Sequence, residues 1–112
     1  MKKQIDVALT DEAKEFVKHL PPAVRKKVAT AFEKTENGHQ GDWFKKLSST
    51  EDLWEFRIDG PNHTYRLFAF WDSRSETETL VVCTHGLDKK TQKTPKADIA
   101  KAERIRRAYF DS

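Results

Sequence analysis

The passage Leu53-Trp54-Glu55-Phe56-Arg57-Ile58-Asp59, followed by Gly60-Pro61-Asn62 and then by Tyr65-Arg66-Leu67-Phe68-Ala69-Phe70-Trp71, reads as two strands joined by a tight turn. In the first, Trp54, Phe56 and Ile58 fall on one side and Glu55 and Arg57 on the other, the period of two of a half-buried strand. The second is bulky on both sides, as a central strand is. Asp59 to Asn62 is dense in turn formers, and a further turn over Asp72 to Thr77 leads to a third apolar run, Leu80 to His85. Such short connections predict an antiparallel three-stranded meander.

Upstream, Ile5, Val7 and Leu9 alternate with Asp6 and Ala8 and predict a short N-terminal strand. Thr10 is placed to cap a helix whose first turn carries Asp11 and Glu12 and whose apolar stripe is Ala13, Phe16, Val17 and Leu20. Pro21 and Pro22 end it, and Pro22 can open a second helix with Val24, Val28, Ala31 and Phe32 inward and Arg25, Lys26 and Lys27 outward. Asn37-Gly38 is a stop signal, so the two helices are expected to form an antiparallel hairpin. Downstream, Gly86 to Lys93 reads as a basic loop. Thr94 is the expected cap, and Pro95 the first residue, of a last helix with Ile99, Ala102, Ile105 and Tyr109 on one face. The fold class expected is α+β, in a single domain over residues 1–112, which is one domain's length.

The 112 residues carry 35% charge, and their twelve aromatic rings argue against disorder. No apolar run has the length of a bilayer span and the N-terminus lacks a signal peptide's apolar stretch, so no membrane association and a cytoplasmic location are expected. One cysteine, Cys83, excludes an internal disulfide and a cysteine zinc cluster, and reads as a small buried hydrophobe. The net charge of +3 divides into +3 over residues 1–46, −4 over 47–83 and +4 over 84–112. A polyanionic partner suits that distribution.

Arg66 stands out, because a guanidinium in a central strand needs a carboxylate, an open groove or a ligand. Glu55 across the strands is one available partner and a ligand is the other. Lys89, Lys90, Lys93 and Lys96 crowd nine residues beside a helix start and suit a nucleic-acid backbone, with Lys45 and Lys46 joining them if the fold brings both segments to one edge. His85, closing the third strand, is a candidate general acid or base whose pKa the neighbouring lysines should lower; the other reading is a packed, hydrogen-bonded histidine. There is no glycine-rich phosphate loop, His-Glu-x-x-His helix or Gly-x-Ser-x-Gly elbow, and no metal or cofactor is expected.

From Lys46 onward the chain resembles the RelE/ParE superfamily of bacterial type II toxins, most closely its phage-derived, HigB-like branch. The motifs are Lys46-Leu47 before a short acidic turn, Asp52-Leu53-Trp54-Glu55-Phe56-Arg57, Tyr65-Arg66-Leu67-Phe68, and His85-Gly86-Leu87-Asp88-Lys89-Lys90-Thr91-Gln92-Lys93-Thr94-Pro95, with Leu87 where phenylalanine is usual. The Ala100 to Tyr109 helix resembles the family's ending. The resemblance implies a RelE/ParE-like α+β toxin whose sheet packs helices on one side and presents a basic concave face on the other. It implies metal-independent cleavage of messenger RNA on the ribosome by 2′-hydroxyl attack, which inhibits translation. Arg57, Arg66, His85, Lys89 and Lys90 would be the catalytic residues and Lys45, Lys46, Lys93 and Lys96 RNA contacts. The implied partner is an acidic antitoxin, often helix-turn-helix and encoded next door. Two alternatives stay open: a ParE-like, non-enzymatic inhibitor of DNA gyrase, and an inactive prophage remnant that only binds its antitoxin.

Overall fold

The computed structural model describes residues 4–89 and 94–112. Its elements follow the chain as β1 (Gln4–Leu9), α1 (Asp11–Lys18), α2 (Pro22–Glu36), β2 (Phe44–Lys46), β3 (Trp54–Gly60), β4 (His63–Asp72), β5 (Glu78–Lys89) and α3 (Lys96–Asp111). The strands form one sheet in the order β1-β5-β4-β3-β2, antiparallel throughout except where β1 lies parallel to β5.

Local chemistry explains most boundaries. The Thr10 hydroxyl accepts from the Ala13 amide at the start of α1. Pro22 opens α2, and Gly38, at φ 79°, supplies the left-handed residue that lets the amides of Gly38 and His39 close back on Thr35 and Lys34. Pro61 and Asn62 join β3 to β4, with Asn62 at φ 61° in the position a proline-led turn of this kind needs.

Both faces of the sheet are covered. On one, Ala13, Val24, Val28 and Ala31 of α1 and α2 meet Phe56, Ile58, Leu67, Ala69, Val81 and Cys83. On the other, Ala102 of α3, with Ile99, Tyr109 and Phe110, meets Leu53, Phe68, Phe70 and Val82. Burying rings such as Phe56, Phe68 and Phe70 contributes roughly 1.5–3 kcal/mol each. The Tyr109 hydroxyl donates to Asp72 Oδ2 at 2.6 Å and Arg74 grips the same carboxylate at 3.0 Å, tying the end of α3 to the end of β4.

Four expectations need correction. The second face is not an open basic surface, because α3 lies across its apolar half. A short strand, β2, forms before the meander. β5 continues through Gly86 to Lys89 against β4 where a loop was expected, since pairing with Thr64 to Leu67 satisfies its backbone. The last helix starts at Lys96 with no side-chain cap, the Thr94 hydroxyl being engaged elsewhere.

Candidate functional site

Strand alternation and register set the polar end of the α3-side face. Three rows cross it, Lys45–Glu55–Phe68–His85, then Arg57–Arg66–Leu87, then Asp59–Thr64. His85 joins the first row because the ladder slips between Phe68 and Ala69, which pair with His85 and Cys83 and leave Thr84 as the extra residue of a bulge. Regular alternation would have sent His85 to the opposite face.

Arg66 is buried, and its Nη1 donates to Oε1 of the buried Glu55. Thr94 closes the arrangement, its hydroxyl 3.5 Å from Arg66 Nη1 and donating to Glu55 Oε2 at 3.4 Å. Of the two partners the sequence offered Arg66, the carboxylate is the one in place. Thr94, which sequence reasoning used only as a cap, anchors the start of α3 to this pair.

Arg57, the direct cross-strand partner of Arg66, is about one-third exposed and has its Nε 3.6 Å from Asp59 Oδ1. It lines a polar groove of about 540 Å³ with Glu55, Asp59, Lys45, Asp42 and Trp43. Lys45 reaches this groove while ion-paired to Asp42 at 3.0 Å. Lys46, next along β2, pairs with Trp54 and so alternates to the other face, away from the two arginines.

His85 does not stand exposed beside a basic loop. It is 1% exposed, its ring stacked on Phe68 with centroids 4.7 Å apart. Its Nε2 lies 3.2 Å from Asp98 Oδ1 and its Nδ1 3.0 Å from Thr84 Oγ1. A carboxylate only accepts, so the neutral ring donates from Nε2 to Asp98, and its Nδ1 faces the Thr84 hydroxyl, whose single proton is shared between this nitrogen and the Phe68 carbonyl 3.4 Å away. Burial lowers its pKa, against the Asp98 hydrogen bond, and Lys101 of α3 adds to the lowering. The cation that acts on it thus comes from α3. Both nitrogens are occupied within the fold, so the packed reading describes it and access of a substrate to this ring does not. Asp98 had no sequence signal of its own beyond its place in the first turn of α3.

The backbone of Lys89 pairs with Thr64 at the end of β5, two rows and three strands from Lys45. Its side chain, with Lys90 and Lys93, lies outside the described residues. Lys96 is exposed as the first residue of α3, two positions beyond Thr94. The structure therefore unites Arg57, Arg66, Glu55 and Lys45 in one neighbourhood and separates Lys46 from it. Cys83 is fully buried, its thiol pKa raised by burial. Among the described residues no three His, Cys, Asp or Glu side chains group to hold a metal ion. No helix among them is long and apolar enough to cross a membrane.

A family described as phage derived protein Gp49-like (DUF891) matches residues 15–107, from the second half of α1 through the meander to most of α3. The chain belongs to that family. Among solved structures, this Gp49-like chain is similar to one in the crystal structure of the RelB-RelE antitoxin-toxin complex from Methanococcus jannaschii. The TM-score is 0.50 at 17% identity, over 71% of this chain and 87% of that one. The Gp49-like fold is thus RelE-like. No curated protein sequence matches it.

Proposed function

We propose that this Gp49-like protein is the toxin of a toxin–antitoxin pair, of the HigB-like branch, and that it cleaves messenger RNA on the ribosome. Family membership and a fold shared with a chain from an antitoxin–toxin complex support the toxin reading. The observation that carries the ribonuclease reading is the cross-strand adjacency of Arg57 and Arg66, with Glu55 beside them, on the wall of a polar groove.

In this reading the RNA 2′-hydroxyl attacks the adjacent phosphorus, the P–O5′ bond breaks, the departing O5′ takes a proton from water, and a 2′,3′-cyclic phosphate and a 5′-hydroxyl remain. The reaction concentrates negative charge on the phosphorane, where a fixed cation lowers the barrier most. Arg57 is the groove cation that meets that charge. Glu55, a lining residue of the groove held by Arg66 and Thr94, takes the 2′-hydroxyl proton as Thr94 gives up its long contact. Arg66 positions Glu55 and adds positive potential from behind. An antitoxin that covers the groove would silence all three.

The test is purified protein in a cell-free translation reaction, with the message recovered and its ends mapped. Breaks inside the translated message, absent with Arg57→Ala, are expected. Intact message together with arrested gyrase supercoiling would overturn the ribonuclease in favour of the ParE-like inhibitor. Intact message with normal supercoiling would leave a protein that binds only its antitoxin.

A further inference from the structure

The outward lysines of α2 have no part in the groove chemistry, yet they border it. A second groove, of about 380 Å³, runs between α2 and the open end of β3, lined by Lys26, Lys27, Lys34, Trp43, Arg57 and Asp59. Trp43, Arg57 and Asp59 line the first groove as well, so the two share one wall at the β3 edge. Among the described residues no strand covers that edge, because β2 pairs only with Trp54 to Phe56. Beyond it the Arg57 amide bonds to the Trp43 carbonyl at 2.8 Å and the Asp59 carbonyl accepts from Lys27 Nζ at 2.7 Å.

Charge along this path favours an anion. Lys26, Lys27, Lys34, Lys45 and Arg57 face Asp42, Glu55 and Asp59, and Glu55 already holds Arg66. The three α2 lysines are exposed, and the helical period brings positions 27 and 34 to one stripe. Lys34 Nζ sits 4.9 Å from the centre of the Trp43 ring, which holds the ammonium over the groove and covers one ring face. The walls therefore offer cations, with little open ring surface for stacking bases.

We propose that the α2–β3 groove is a track for RNA phosphates, continuous round the β3 edge with the cleavage groove and read through the backbone. It rests on the ribonuclease reading for its ligand and extends that reading to the surface that adjoins the cleavage groove across the shared wall. The RNA on it is the flanking message, because a strand whose phosphate lies at Arg57 passes over the shared wall from one groove to the other.

The experiment measures binding of a fluorescein-labelled twelve-nucleotide single-stranded RNA, and separately of 30S ribosomal subunits, as salt is varied. It compares the wild type, the triple variant Lys26→Ala/Lys27→Ala/Lys34→Ala, and a control of equal charge loss elsewhere, Lys14→Ala/Lys18→Ala/Arg104→Ala. Each phosphate that the protein no longer neutralises takes about 0.7 from the slope of log K against log salt for single strands, so the groove variant should lose about 2 and the control nearly nothing. A loss on the twelve-mer is the expected result, and a loss confined to subunits would overturn the message as the ligand in favour of ribosomal RNA. Equal slopes for groove variant and control would overturn the track while leaving cleavage untouched. Wild-type protein that binds neither RNA would overturn the track and the ribonuclease reading together.

Discussion

The two arginines of the candidate site are neighbours across one strand pair but differ in what surrounds them, and that difference separates their mutants. The ion pair of Arg57 with Asp59 is long, at 3.6 Å, and its carboxylate is exposed, so Arg57→Ala should cost no more than about 1 kcal/mol. Message cleavage should fall by roughly 10²–10³-fold, the usual cost of removing one transition-state donor. Arg66→Ala strands the Glu55 carboxylate in the interior and should cost about 3–5 kcal/mol in urea unfolding, whereas the double replacement Glu55→Leu/Arg66→Met should recover most of it. Loss of activity in Arg66→Ala alone would thus report folding as much as chemistry. His85 gives a pH signature. Its folded pKa lies below the ordinary 6.5, so the unfolded chain binds more protons as pH falls through that value, and stability must fall with it. His85→Gln should flatten the difference in urea midpoint between pH 7 and pH 5.5, and an unchanged pH profile would contradict the buried, neutral assignment. The sequence put Glu55, Arg57 and Arg66 on one face through simple alternation. It did not distinguish an exposed histidine from a packed one, because the partners that bury His85, Asp98 and Thr84, act through a helix docking and a bulge.

At the scale of elements, β5 carries the most information. It is the strand that joins β1 to the meander, and its bulge at Thr84 keeps His85 and Leu87 on the α3 face while Gly86 points at α1. A Cβ on Gly86 would overlap the Phe16 ring, so Gly86→Val should destabilise by about 1–3 kcal/mol through overpacking, and Phe16→Leu in the same chain should restore part of that loss. Thermal unfolding of the two variants measures both effects. The meander, the capped α1 and the proline-led α2 were readable because period, cap and turn residues all act within a few positions. β2 was not, since three residues carry no period and their pairing with β3 is a tertiary event. The last residues of β5 read as loop because Gly86 and Lys89 carry loop chemistry, while β4 supplies the hydrogen bonds that make them strand.

For the whole molecule, the arrangement that matters is the division of one sheet face. α3 closes the apolar half around Leu53, Phe68, Phe70 and Val82, while Thr94 just before it and Asp98 in its first turn brace the polar half beside it. The helix that completes the core thereby fixes Glu55 and Arg66 and leaves Arg57 and Lys45 on the groove. Basic charge from α2 and from the sheet then meets at the β3 edge, so a chain with a net charge of only +3 presents a locally cationic path. The chemistry left on the RNA reports most directly on this mechanism. Message recovered from a translation reaction with the protein should carry 2′,3′-cyclic phosphates upstream and 5′-hydroxyls downstream of each break, and Arg57→Ala should abolish those ends. Breaks bearing 3′-hydroxyls and 5′-phosphates, or the same ends at the same yield from Arg57→Ala, would contradict it.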